Sequence, residues 1–227
     1  MELDGKARRG RPKSMPDAKR REQIVSTAEK LFVRKGDSGT CTHEIATKCK
    51  ISKQTLYRLF PGKLDLFVAV VEAHRLKMID FGDGYDDLPL DQALARMFMI
   101  DMDQESYEIR AGFLRTANME SLQHPQLREI LRYHGGQKAV EGLVNWLDRQ
   151  CRKGRLVLAN TSLAARMLLD SFIGSVFLDA LGGFTWIDRE ERIAHFKQCI
   201  EIFLYGALPP EGRTALPACP LDPCYQR

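Results

Sequence analysis

Between Ser52 and Lys63 the chain carries Lys53, Gln54, Thr55, Tyr57, Arg58 and Lys63 in close order. These residue types match duplex DNA. Glutamine offers a donor and an acceptor to the edge of adenine, and arginine offers a fork to guanine. A helix turns by roughly 100° per residue; with Leu56 set at zero, Phe60 falls near 40° and Leu59 near 300°. The apolar face therefore centres on Leu56. Gln54 near roughly 160° and Arg58 near roughly 200° occupy the opposite face, flanked by Thr55 and Tyr57. Lys53, beside the free N–H groups of the helix start, suits a phosphate, and Lys63 at the start of the next helix suits another. Tyr57 can set its hydroxyl on the backbone. A solvated amphipathic helix in a small bundle would have the same periodicity; the elements around the strip favour the DNA reading.

Those elements form a supporting helix, a short helix, a tight turn and the helix bearing the strip. The spacing predicts a first helix over Asp17–Lys35, with Asp17 as N-cap or first-turn acid. Its apolar stripe is Ile24, Ala28, Leu31 and Phe32, and Gly36 stops it. A short helix over Thr42–Lys48 follows, capped by Thr40 or Thr42. Cys49, Lys50 and Ile51 make the turn. Ser52 caps a third helix that ends at Phe60, before Pro61-Gly62, and a fourth runs from Leu64 to about Ile79. Two short helices across a three-residue turn form a helix-turn-helix pattern. Before them lies a basic arm, residues 1–16. Its segment Arg9-Gly10-Arg11-Pro12 resembles an AT-hook, with Arg9 and Arg11 fitted to a narrow minor groove. The alternative is a disordered basic tail that acts by charge alone.

Charge is distributed to match. The 227 residues have a formal net charge of +4, yet 16 basic and 7 acidic residues lie within Met1–Lys63, and 18 basic and 23 acidic in the remainder. A cationic head meets a polyanion more readily than the anionic body does. The best apolar stretch, Ser171–Leu178, lies between Asp170 and Asp179 and is too short to span a bilayer. No apolar segment follows the basic N-terminus as in a secretory signal. The expectation is a cytoplasmic protein. Six cysteines, at 41, 49, 151, 199, 219 and 224, contain no CxxC pair and no zinc spacing. Reduced thiols follow, with Cys49 buried and inert; a thiol-responsive regulator, in which Cys219 and Cys224 pair, is the alternative. There is no phosphate loop, dinucleotide glycine fingerprint, HExxH or nucleophile elbow, so no enzyme, metal or cofactor is expected.

The rest of the chain reads as helices over Leu90–Asp103, Tyr107–Leu122, Pro125–Lys153, Ser162–Leu181 and Asp188–Tyr205. Gly135-Gly136 is a break or a kink, and the tail over residues 208–227 is proline-rich. The fold class is all-α: a helix-turn-helix domain over 17–63 and a ligand-binding and dimerisation domain over 64–207. Candidate pocket residues are Met102, Phe113, Leu114, Met119, Trp146 and Phe172, with methionines supplying an adaptable wall. Each also fits plain core packing. A single helix-turn-helix reads few base pairs, so a two-fold dimer is expected. Leu168, Ser171, Gly174, Ser175 and Leu178 mix small and large residues at helical spacing, which suits close helix packing between subunits or within one.

Gly36, Thr40, Ile45-Ala46, Ile51-Ser52-Lys53, Thr55-Leu56-Tyr57, Phe60-Pro61, Lys63 and Leu66-Phe67 together resemble the helix-turn-helix of the tetracycline-repressor-like (TetR) family. The resemblance covers about fifty residues. It implies a homodimeric transcription regulator, usually a repressor, with Thr42, His43, Lys53, Gln54, Thr55, Tyr57 and Lys63 facing DNA. The segment from Gly154 to Gly182 resembles the AefR-like regulatory domains of that family, which implies a small-molecule inducer. A ligand-binding protein without DNA recognition is the alternative. The sequence departs from the family pattern at three positions. Lys50 stands where a turn glycine is usual, which costs roughly 1 kcal/mol if φ is positive. Cys49 replaces a small alanine, and Leu59 replaces a polar residue. The expected mechanism is a ligand that pushes the helix over Leu64–Ile79 and spoils the spacing of two recognition helices.

Overall fold

The computed structural model describes residues 15–206, apart from 83, 181–185 and 187; at 175–180 it describes the backbone only. Among the described residues there are helices and no strands. The helices are α1 (Asp17–Lys35), α2 (Thr42–Lys48), α3 (Lys53–Leu59), α4 (Lys63–Met78), α5 (Leu90–Met97), α6 (Gln104–Gln123), α7 (Pro125–Ile130), α8 (Lys138–Arg152), α9 (Thr161–Ala180) and α10 (Arg189–Tyr205). A π-helical stretch, Leu131–Gln137, joins α7 to α8. The expected single helix over Pro125–Lys153 is therefore continuous, and Gly135-Gly136 lies in the irregular stretch rather than in a break.

Packing divides the chain into two compact units. One contains the chain up to Ile79 together with Glu105–Gly142; the other contains Asp80–Gln104 and the chain from Leu143 onward. Helix α4, which begins at Lys63, falls in the first unit. Leu66, Phe67 and Val70 of α4 share one core with Ile24 and Phe32 of α1, and Phe113 of α6 joins it. The Phe67 ring lies edge-on to Phe32 at 5.4 Å and 6.4 Å from Phe113. The short helices α2 and α3, even with α1, have little apolar surface to bury alone, and α4 and α6 complete the core.

The first unit also buries a polar pair. Glu29 of α1 and His74 of α4 are nearly inaccessible, with His74 Nδ1 3.2 Å from Glu29 Oε1. Lys77 donates to the other carboxylate oxygen. Burial raises the pKa of Glu29, but the hydrogen bonds from His74 and Lys77 outweigh it and hold the carboxyl below its ordinary value. Burial lowers the pKa of His74, against the pull of Glu29. The charged carboxylate only accepts, so Nδ1–H donates to it, and Nε2 is left without a partner. The His74 ring packs on Phe113 at 4.4 Å.

In the second unit Phe172 of α9 stacks between Phe98, at 3.9 Å, and Phe196 of α10, at 4.6 Å. Arg192, fully buried, donates to the carbonyls of Ile100 at 3.3 Å and Met102 at 2.6 Å. Helix α5 ends at Met97, six residues earlier than the periodicity predicts. Met99 has φ 48°, and the Met99 and Ile100 amides return to the carbonyls of Arg96 and Ala95. This reversal closes the helix without a glycine.

Candidate nucleic-acid interface

The turn between α2 and α3 is built from backbone hydrogen bonds. The Lys50 amide donates to Thr47 O at 3.0 Å and the Ile51 amide to Ala46 O at 3.0 Å. This is the double closure that ends a helix on a left-handed residue. Lys50 is that residue, with φ 55°, so the turn does hold lysine in a conformation that favours glycine. Cys49, buried, fills the space between the helices. Helix α2 lacks the expected hydroxyl cap. Its N-cap is Cys41, without a side-chain bond, and the Thr40 hydroxyl donates instead to Gly36 O at 2.7 Å. Helix α3 is capped as expected, Ser52 Oγ accepting from the Thr55 amide at 3.1 Å.

The two faces of α3 divide as the angles predict. Leu56, Leu59 and Phe60 are buried; Lys53, Gln54, Tyr57 and Arg58 are exposed, and Thr55 is half-buried. Leu59 thus belongs to the core and not to the polar face. On α2, His43 is exposed and Thr42 half-buried, and Thr42 Oγ1 lies 3.1 Å from the Tyr57 hydroxyl, tying the two helices together at their outer surface. Gln54 and Lys53 make no such tie.

Two of the candidate cations are engaged with acids far away in sequence. Arg58 Nη1 and Nη2 donate to the two carboxylate oxygens of Asp17 at 2.7 and 2.8 Å. That hydrogen bond, with the nearby charge, lowers the pKa of Asp17 and raises that of Arg58. Lys63 Nζ reaches Asp37 O at 2.5 Å and Asp37 Oδ2 at 3.1 Å. The loop carrying Asp37 is itself held by α6. The Ser38 amide and hydroxyl each donate to Glu120 Oε2 at 3.1 Å, and Ser38 Oγ lies 3.1 Å from His124 Nε2. Gly36, with φ 70° and ψ 175°, is in a conformation that favours glycine, and a Cβ there would lie 2.0 Å from Glu120 Oε1 and displace that carboxylate. Sequence reasoning missed Asp17, Asp37 and Glu120. Their partners lie 41, 26 and 82 residues away, and no periodicity reports such a distance. Asp17 was legible only as a first-turn acid.

Arg9 and Arg11 lie outside the described residues, as do Cys219 and Cys224. The pocket candidates are not brought together in either unit. Phe113, Leu114 and Met119 belong to the first; Met102, Trp146 and Phe172 to the second. Met119 is 56% exposed, so it lines no interior wall; it sits on the outer side of α6. Phe113, Trp146 and Phe172 are buried. Of the dimer candidates, Leu168 is buried and packs into its own unit, because it lies on the same side of α9 as Phe172. Ser171 and Gly174 are half-buried, and the side chains of Ser175 and Leu178 lie outside the described set. Among the described side chains of α9, the exposed large apolar residues are Leu163 and Met167.

Known proteins match along most of the chain. The pattern described as bacterial regulatory proteins, tetR family, matches residues 24–70. The pattern described as the AefR-like transcriptional repressor C-terminal domain matches residues 93–206. The chain belongs to the TetR family. It is a DNA-binding transcriptional regulator with an AefR-like C-terminal domain, and its relatives are regulators rather than enzymes. Over 60 residues this TetR-family chain is 37% identical to the HTH-type transcriptional activator FasR of Mycolicibacterium smegmatis, a match that covers 26% of this chain and 27% of that relative. A solved TetR-family transcriptional regulator from Mesorhizobium loti shares the fold with a TM-score of 0.68 and 23% identity, over 84% of this chain and 98% of that one. The Bacillus subtilis regulator FadR, solved in complex with stearoyl-CoA, shares it with a TM-score of 0.61 and 16% identity, over 82% and 99%. No helix among the described residues is long and apolar enough to cross a membrane.

Proposed function

We propose that this TetR-family regulator is a homodimeric repressor, acting in the cytoplasm, that leaves its operator when a small hydrophobic or amphipathic ligand binds. The observation that carries the DNA contact is the outward strip of Lys53, Gln54 and Tyr57 on a helix whose other side is buried. Gln54 reads a base edge; Lys53, Thr55, Tyr57, Thr42 and His43 serve the backbone and flanking bases. Lys63 reaches a phosphate by exchanging Asp37 for it, and Arg9 and Arg11 enter the adjacent minor groove. Two half-sites about 34 Å apart need two subunits. Exposed Leu163 and Met167 on α9 and Ile202 and Tyr205 on α10 support a dimer made by these helices.

Repression is the sense favoured by the repressor-type C-terminal match, whereas FasR is described as an activator. The stearoyl-CoA complex of a protein with the same fold supports an amphipathic acyl ligand. Trp146 Nε1, buried and without a partner among the described residues, would serve an acceptor on such a ligand. Helix α6 carries the signal to the DNA-binding helices. Displacing Glu120 from Ser38 frees the loop that holds Lys63.

Selection of bound duplexes from a random library with the full-length protein, combined with sedimentation, tests this reading. The expected result is a two-fold symmetric motif bound by a dimer. No enriched motif, or a monomer on one half-site, overturns it.

A further inference from the structure

The N-terminus of α1 is fixed to the C-terminal end of α3 by three contacts. Arg58 and Asp17 form the two-point pair described above. Arg21 donates to Leu59 O at 2.5 Å and lays its guanidinium over the Phe60 ring at 4.3 Å. Within α1 itself, Arg20 Nη1 also reaches Asp17 Oδ1 at 3.3 Å. Asp17 thus faces two arginines, and only Arg58 lies on the exposed strip of α3.

The pairing uses the end of the Arg58 guanidinium, both Nη atoms each giving one proton to the carboxylate. The side edge, Nε–H with the neighbouring Nη proton, remains unused among the described residues. A guanidinium offers five donors in a fixed fork, so an arginine held by its end can still present two parallel N–H groups from its side. Guanine O6 and N7 accept such a pair. The carboxylate also neutralises the arginine, and a neutralised cation gains little from an arbitrary phosphate.

We infer that Asp17 is a specificity-determining positioning residue, which pins Arg58 so that its free side edge reads one guanine in each half-site. Asp17 touches no base itself. It removes the rotational freedom of the arginine and suppresses its attraction to any backbone phosphate, so both effects raise the ratio of specific to non-specific binding. The inference rests on the proposed DNA-reading role of α3.

The test uses the full-length protein, a duplex enriched by the wild-type chain from random DNA, and a scrambled duplex of equal length. Asp17→Asn, an isosteric change at an exposed position, is expected to lower the ratio of the two affinities about tenfold. Binding to the scrambled duplex tightens, and its salt dependence steepens by about one unit in log–log slope. Repeating the selection with Asp17→Asn should lose the guanine preference at one position per half-site and keep the others. Arg58→Gln should lose the same position, and Asp17→Asn added to it should change the ratio no further. Equal tightening on both duplexes, or the same effect of Asp17→Asn with and without Arg58, overturns the inference while leaving the regulator reading intact. Failure of the wild-type chain to enrich any sequence overturns both.

Discussion

The surface of α3 and the interior between α1 and α4 both pair an acid on α1 with a base on a later helix, yet the two pairs do different work. Asp17–Arg58 is half-exposed, with side-chain exposures of 50% and 54%. Glu29–His74 is enclosed, at 6% and 3%. Water and salt screen the first, so breaking it costs the fold little, and its members stay within reach of a DNA partner. The second has no competing solvent, so losing one partner leaves an uncompensated polar group. The exposed pair is the one proposed to tune recognition; the enclosed pair fastens the supporting helix α1 to α4.

Removing one member of the enclosed pair should therefore have the largest effect. Glu29→Ala is expected to lower the free energy of unfolding by about 3 kcal/mol, read from urea denaturation. A loss no greater than that of an exposed pair would erase the distinction between the two.

A second contrast is in pH. Burial holds the folded pKa of His74 below its ordinary value of 6.5, so the unfolded chain takes up a proton that the folded chain refuses. The stability this neutral histidine secures is complete above 6.5 and is lost as pH falls through that value toward the lower folded pKa. Glu29, also shifted down, adds a further loss as pH falls through its ordinary value of 4.5. Urea midpoints should drop on acidification, and His74→Gln should remove the part that begins near 6.5. A midpoint unchanged by that substitution across this window would contradict the enclosed state of His74.

The smallest effect concerns the turn. Lys50→Gly is expected to raise stability by up to about 1 kcal/mol, because glycine adopts φ 55° without strain. Thermal melting measures the gain, and a loss would mean that the lysine side chain contributes more than its backbone conformation costs.

The legibility of these regions follows from the range of the forces involved. The helix-turn-helix could be read because its determinants are local: the Ser52 cap, the Gly36 stop and the apolar spacing of Leu56, Leu59 and Phe60. The positive φ at Lys50 was legible only as a condition attached to the family resemblance, in which lysine takes the place of a turn glycine. What could not be read were pairings across tens of residues, Asp17 with Arg58, Asp37 with Lys63 and Glu120 with Ser38, which depend on how whole helices dock. Residues of the C-terminal part were less legible still. Leu168 fits a subunit interface as well as a core by composition, and only its burial beside Phe172 decides. Met119 has the chemistry of a pocket wall but the wrong side of α6. The early end of α5 went unseen because Met99 closes it without glycine or proline.

Base reading by the outer strip of α3 is the proposal on which the others rest. Its most direct test is the affinity of Gln54→Ala for the duplex selected by the wild-type chain, at fixed moderate salt. The expected loss is about 1–3 kcal/mol, confined to that duplex, with relaxed preference at one position of each half-site and unchanged binding to scrambled DNA. Equal affinity of Gln54→Ala and wild type for the selected duplex would contradict it.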